Sequence, residues 1–272
     1  QAVWARPGPS HHSAPLWCLA AACSPRLMLP FEIADLLFLS LSPICVLVFA
    51  CACLAFMYVD LRGTPECIAA SKVQPRLRPS IEDYSGLWRV VLLQNGFIGL
   101  VCCPPMTLVL YRGLGVTATL PSAARAVIEL AAIVVAYELW AWGCHRLFHL
   151  PCLYRYHKLH HEWKAPCAFE GGYFGVLDFV VGNYGPMLFI PPLITRHFFV
   201  ILAFGCLGVV SVAITHSGYD LRKALGRLGF LVAQASHDAH HEFFDVNFST
   251  FGVLDALTGT YLSPAAVAKR RR

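Results

Sequence analysis

The chain has 272 residues, enough for one sizeable domain and compatible with two. Hydrophobic residues make up 57% and charged residues only 14%, against about 25% charged in an ordinary soluble domain, so much of the surface must face hydrocarbon. The net charge of +5 is scattered, which argues against a nucleic-acid partner and suits a rim beside anionic lipid headgroups.

Residues 1–35 carry Pro7, Pro9, Pro15, Pro25 and Pro30 without a sustained apolar run, and read as a disordered or incomplete N-terminal tail. Residues 16–23 resemble a short signal-peptide core. A nearly uncharged run at 36–59 has the length of a transmembrane helix, about 20 residues being needed to cross the hydrocarbon. It ends at Asp60-Leu-Arg62 and is followed by a polar connector, so that 36–86 form a first span and its link. A second run, 87–111, is interrupted by Pro104-Pro105 and is predicted to be a kinked span or a re-entrant hairpin. A third covers 123–142, and two more, 175–194 and 198–215, are joined by Thr195-Arg196-His197. The chain closes on a basic tail, 263–272, ending Lys269-Arg-Arg-Arg272, which resembles a dibasic endoplasmic-reticulum retrieval signal and equally suits a membrane-surface anchor.

Five crossings alternate consistently with a lumenal N-terminus. The cytosolic segments then hold Arg62, Lys72, Arg76, Arg78 and Arg89, the group Arg146 to Lys164, and the tail with Arg222, Lys223, Arg227 and 269–272. Only Arg6, Arg26, Arg112, Arg125 and Arg196 fall on the other side. This is the lysine and arginine asymmetry of a multi-pass membrane protein. Of the twelve cysteines, Cys45, Cys51, Cys53, Cys102, Cys103 and Cys206 lie inside apolar runs and no CxxC pair occurs; they read as reduced packing residues.

The histidines carry the chemistry. Eight of twelve fall into three groups, His145-Arg-Leu-Phe-His149, His157-Lys-Leu-His160-His161 and His237-Asp-Ala-His240-His241. Spacings of three and four return to one helical face, so each group is expected to project its imidazoles in one direction. Neutral imidazole is a strong ligand for divalent iron or zinc. Eight ligands exceed what one ion takes, so two ions are expected. His216, at the end of the fifth run, is a ninth candidate. Glu138, two turns before His145, either orients a ligand from behind or pairs with Arg146 or Trp142. His197, His11 and His12 read as ordinary packing or tail residues.

The order HxxxH, HxxHH, HSGY, HxxHH resembles the fatty acid hydroxylase superfamily of membrane di-iron oxygenases, which includes sterol and sphingolipid oxidases. Glu138-Leu-Trp-Ala-Trp-Gly-Cys-His145-Arg is similar to the approach to the first box in C-4 methylsterol oxidases. His160-His161-Glu-Trp-Lys-Ala-Pro166 and Gly252-Val-Leu-Asp-Ala-Leu-Thr-Gly-Thr260 are similar to the same group. The resemblance covers 87–262 as a catalytic domain. Two positions depart from it: Ser236 stands where a further histidine often precedes the last box, and Asp220 stands where some fatty-acyl hydroxylases carry a histidine.

The resemblance implies an all-α integral membrane fold, a four-helix transmembrane core plus an extra N-terminal span, with a cytosolic helical cap carrying a dinuclear site. It implies two non-haem Fe ions, O2 as co-substrate, and electrons from NAD(P)H through cytochrome b5 or its reductase, since no HPGG haem motif occurs in the chain. Asp220, Asn247 and Asp255 join Glu138 as candidates behind the ligands. The expected activity is oxidation of a sterol methyl group at the endoplasmic-reticulum membrane, with a fatty-acyl or sphingolipid hydroxylase as the alternative. Outside this class stand a haem electron carrier with paired axial histidines and a non-catalytic scaffold holding structural zinc.

Overall fold

The computed structural model describes residues 31–225 and 236–272. Arg227, His11, His12 and the expected tail through residue 30 lie outside the described residues. Those described are helical, with two isolated β-bridges and no strand among them. Five helices are long and apolar enough to cross a membrane: α1 (Ile33–Arg62), α2 (Ile81–Leu114), α3 (Ala123–Phe148), α4 (Val176–Ile194) and α5 (Phe198–His216).

Each helix starts and stops for a local reason. Ser80 and Ser122 cap α2 and α3 by accepting from the N–H groups of Asp83 and Arg125, which satisfies donors that the first turn leaves free. Gly63 and Gly115 close α1 and α2 at φ of 68° and 70°, in the left-handed region where glycine meets no Cβ penalty. The second run is one continuous helix and not a hairpin. Pro104 and Pro105 cannot donate hydrogen bonds, and the turns before them widen to π-helix over Arg89–Gly96 and Ile98–Cys102, as happens where the regular ladder is interrupted. The Ser42 hydroxyl donates to the carbonyl of Gly99 within that stretch.

The N-terminal span is not an appendage to a four-helix core. Phe38, Leu41 and Cys45 of α1 are buried together with Cys103 and Tyr111 of α2, Leu188 of α4 and Phe198 and Ile201 of α5. Small residues make this possible: a Cβ on Gly205 of α5 would stand 2.8 Å from Cys45 Sγ, and close backbone approach is what drives helix association inside lipid. Large apolar side chains such as Leu47, Val109, Ile128 and Leu207 remain on the outside, as a hydrocarbon environment permits.

At one end of the bundle Arg112 pairs with Asp35, Arg125 with Glu129, and His197 bridges to Thr117. The opposite end gathers the shorter helices α6 (Ser236–Phe243), α7 (Val253–Thr258) and α8 (Pro264–Arg270). The basic tail belongs to this end. Arg270 pairs with Asp245 at 3.1 Å, and Arg271 pairs with both Asp238, at 2.9 Å, and Glu242 of α6, so these two side chains engage the helix of the third histidine group and the turn just after it.

Candidate metal centre

His145 lies in the last turn of α3 and His149 caps that helix. His157 ends a single turn, Tyr154–His157, and His160 and His161 lie in the 3-10 turn His160–Glu162. His216 is the last residue of α5, and His237, His240 and His241 are on α6. Because α3 and α5 both end here, the long helices deliver His145 and His216 to one place, and all nine sequence candidates come together.

They do not assemble box by box. One group is His145, His149, His157, His161 and His240; the other is His160, His216, His237 and His241, and the ligand atoms within each lie within 4.8 Å of one another. The expectation that each box presents a single direction is therefore corrected. Adjacent residues on a helix diverge by about 100°, so the pairs His160/His161 and His240/His241 send one ring to each group.

The nitrogen spacings fit a shared ion. His161 Nε2 is 3.0 Å from His149 Nε2 and 3.2 Å from His240 Nε2. His216 Nε2 is 3.0 Å from His237 Nε2 and 3.3 Å from His160 Nε2. Two nitrogens bound at about 2.1 Å to one ion stand roughly 3.0–3.4 Å apart for bond angles of about 90–109°. Two neutral imidazoles can share one proton between them, but three converging Nε2 atoms cannot all be satisfied in that way. The Nε2 atoms of His145, His157 and His241 are buried with no hydrogen-bond partner at all, an expensive condition unless a cation takes the lone pairs.

The outward nitrogens fix the tautomers. His145 Nδ1 is 2.8 Å from the Phe248 carbonyl, His240 Nδ1 2.7 Å from the Val246 carbonyl, His241 Nδ1 3.1 Å from the Trp163 carbonyl and His216 Nδ1 2.9 Å from the Val212 carbonyl. A carbonyl only accepts, so each Nδ1 carries the proton and the Nε2 lone pair is left facing inward. Burial, helped by neighbouring imidazoles, holds the rings uncharged: His149 is pushed down to about 3 and His161 to about 2, with His157, His160, His237, His240 and His241 also well below 6.5.

Two carboxylates behind the rings were not singled out in the sequence. Asp178 Oδ2 accepts from His157 Nδ1 at 2.6 Å. Glu170, fully buried, has Oε1 3.1 Å from His160 Nδ1 without hydrogen-bond alignment and Oε2 3.7 Å from His241 Nε2; burial pushes its carboxyl well above the usual range. The signals available were an acid inside the fourth apolar run and an acid before Gly171-Gly172, where a Cβ on Gly171 would sit 3.1 Å from His216 Nδ1.

The candidates behind the ligands act at one remove. Asp255 accepts from the N–H groups of Phe248 and Ser249 and from the hydroxyls of Ser249 and Thr260. Asn247, at φ 55°, exchanges hydrogen bonds with the backbone of Leu262. Glu138 accepts from the Phe251 N–H at 3.1 Å. None of these seven bonds reaches an imidazole; together they shape the loop whose Val246 and Phe248 carbonyls hold His240 and His145. Asp220 accepts from Arg222 at 2.9 Å, a bond that leads away from the histidines. His197 caps the far end of α5, about 28 Å from His216 at about 1.5 Å per residue.

A cavity of about 420 Å³ opens from the cluster, within the usual range for small-molecule sites. His145, His157, His160, His216 and His237 form its polar end, and Leu130, Val134, Tyr137, Phe204 and Leu207 its apolar walls between α3 and α5. Leu130 and His145 are fifteen positions apart on α3, about 22 Å along a helix. The chamber thus runs from the histidines deep into the span region.

Apolar spans that deliver imidazoles to the mouth of such a chamber make the chain an integral-membrane histidine-cluster protein. Comparison adds a likeness: residues 130–260 match the fatty acid hydroxylase family. The chain is 32% identical over 212 residues to the fatty acid hydroxylase ahd1 of Mycosarcoma maydis, covering 75% of this chain and 52% of that protein. It is 30% identical over 219 residues to fatty acid hydroxylase domain-containing protein 2 of Homo sapiens, covering 75% and 60%. It is 28% identical over 210 residues to the methylsterol monooxygenase erg25B of Aspergillus fumigatus, covering 74% and 70%. The chain thus spans little more than half the length of the first two of these relatives. No solved structure matches it.

Proposed function

We propose that the chain is an O2-dependent oxygenase that hydroxylates a lipid C–H bond, with one iron ion held by each histidine group and a sterol methyl group as the target. The observation that carries this reading is the division of nine imidazoles into two convergent sets, each with Nε2 atoms inward and several Nδ1–H groups tied outward. The first set would hold one ion through His145, His149, His157, His161 and His240. The second would hold the other through His160, His216, His237 and His241. The relatives named as methylsterol monooxygenases support the sterol assignment; a fatty-acyl substrate is the outcome that would align this chain with the fungal fatty acid hydroxylase.

Iron bound in such a site supplies the activation of O2 and the oxidation of an unactivated C–H bond. The overall change takes the substrate C–H, O2, two electrons and two protons to the C–OH product and one water. The protein's share is position and exclusion. The apolar walls orient the lipid with one end at His145 and His216 and keep bulk water away, and the anchored Nδ1–H groups keep the rings from turning. The electrons come from NAD(P)H through an external carrier, cytochrome b5 or its reductase, docking on the basic histidine end, which faces the cytosol from the endoplasmic-reticulum membrane.

The test has two parts. Anaerobically purified protein should contain about two iron ions per chain; two zinc ions and no turnover would favour the non-catalytic scaffold. Cells lacking the protein should accumulate an unoxidised 4-methylsterol, and expression in yeast lacking its own C-4 methylsterol oxidase should restore methyl oxidation. Accumulation of a non-hydroxylated acyl lipid instead would transfer the assignment to the fatty-acyl reading.

A further inference from the structure

The connector between α1 and α2 lies outside the segment that matches the family, yet it holds the chain next to His216 and His237. Asp60, near the end of α1, is buried and accepts three hydrogen bonds: from Lys72 Nζ and Tyr219 O–H on Oδ1, each at 2.7 Å, and from Tyr84 O–H on Oδ2 at 2.7 Å. Lys72 Nζ also donates to the Ser217 carbonyl at 3.1 Å and stands 4.3 Å from the centre of the Tyr219 ring. Ser217 immediately follows His216.

The backbone reinforces these contacts. Val73 N–H donates to the Gly218 carbonyl and Asp220 N–H to the Ser71 carbonyl, each at 2.9 Å. Gly218 has φ 71°, and a Cβ there would lie 2.9 Å from the Pro166 carbonyl oxygen and 3.1 Å from Lys72 Nζ. The Ser-Gly-Tyr after His216 is thereby explained: glycine permits the turn and the close approach, and tyrosine reaches Asp60. Gln74 Nε2 then donates to Asp238 Oδ1 at 3.0 Å and to the Lys164 carbonyl at 2.9 Å, and Asp238 immediately follows His237. These tethers serve His216 and His237, both in the four-histidine group. The anchors of the five-histidine group, Phe248, Val246 and Asp178, come from other segments.

We propose that Asp60 and Lys72 are positioning residues for the four-histidine group, setting the direction in which His216 presents its Nε2. The inference rests on the reading that this group holds a metal ion. Without the Lys72 ammonium, Asp60 keeps a buried charge with only two hydroxyl partners, and the Ser217 carbonyl loses its tether to the connector.

The test uses the full chain in detergent, stripped of metal and titrated with Co(II), whose absorption reports ligand geometry. Wild-type protein binds two ions. Lys72→Met should weaken one of them by about 10–100-fold, the usual effect of losing a residue that orients a ligand, with an altered spectrum for that ion and no change at the other. Lys72→Arg, which keeps the cation, should restore much of the loss. If Lys72→Met does not fold, Tyr219→Phe, which removes a single hydroxyl from Asp60, should show the same one-sided weakening. Two ions bound with wild-type affinity and spectrum in the folded variants, or equal weakening of both, overturns the proposal while leaving the metal reading intact. A wild-type chain that binds no ion overturns both.

Discussion

The Nδ1 of His157 donates to Oδ2 of Asp178 across 2.6 Å, and both side chains are buried. This joins the second histidine box to the first turn of α4, and it is the shortest of the anchoring contacts described above. A carboxylate oxygen accepting at Nδ1 goes with one tautomer of the ring, the Nε2 lone pair facing inward. Asp178→Asn introduces an amide that can donate to Nδ1 and turn the inward nitrogen into the protonated one. We expect the five-histidine group to lose about 10–100-fold in metal affinity, read by titration of the metal-free protein. Unaltered affinity would show that the contact is only packing.

Asp255 organises four donors in the loop after α6. Asp255→Ala leaves the Phe248 and Ser249 N–H groups buried without partners, at about 1–3 kcal/mol for each. The midpoint of thermal unfolding should fall by several degrees, and metal held by His145 and His240 should exchange faster. Asp220→Asn is the contrast. Its partner Arg222 is partly exposed, and such pairs contribute only about 0–1 kcal/mol, so this variant should retain wild-type metal content.

His197 provides an internal control for the geometry. Alanine at His160, His161, His240 or His241 removes an inward nitrogen that nothing nearby replaces, and turnover should fall to background. His197→Ala lies at the other end of α5 and should keep most activity. Equal damage from His197→Ala and His160→Ala in folded protein would contradict the assignment of the site to one end of the bundle. An N-glycosylation acceptor inserted between α2 and α3 should be used while one near residue 164 should not, if the histidine end is cytosolic; the reverse pattern would invert the orientation.

Acid should release the metal and then weaken the metal-free fold. His149 and His161 titrate near 3 and 2 in the folded chain but near 6.5 when unfolded. As pH falls below 6.5 the unfolded chain therefore takes up protons first, so stability present above that pH is lost progressively on acidification. Thermal unfolding of chelated protein should be flat from pH 8 to 7 and decline steadily below pH 6. A midpoint that rises on acidification would contradict the neutral, buried assignment.

Much of this was legible in the chain itself. The five apolar runs became the five long helices because length and hydropathy are what hydrocarbon selects. The nine histidines were identifiable because clustered imidazoles have few structural uses. Their division into two sets was not, since it depends on where α6 and the His160 turn lie relative to the ends of α3 and α5 and not on spacing within a box. Asp178 and Glu170 escaped because an isolated acid in an apolar stretch has no periodicity to mark it. Asp220 was singled out because it stands where some fatty-acyl hydroxylases carry a histidine, but its carboxylate turns towards Arg222. The role of α1 was hidden because an apolar span looks the same whether it faces lipid or a neighbour, and only Asp60 at its end distinguished it.

The tether between α1 and the end of α5 also orders events in time. Tyr219 and Asp60 are 159 residues apart, and at about 5–20 residues per second the ribosome needs roughly 8–30 s to make that stretch. At the start of that interval α1 is already available for insertion while none of the nine clustered histidines has been made. The carboxylate at its end can find Lys72 early but must wait for Tyr219. Completion of the four-histidine group is therefore postponed until four further spans have been made, because His216, His237 and His241 all come after the start of α5.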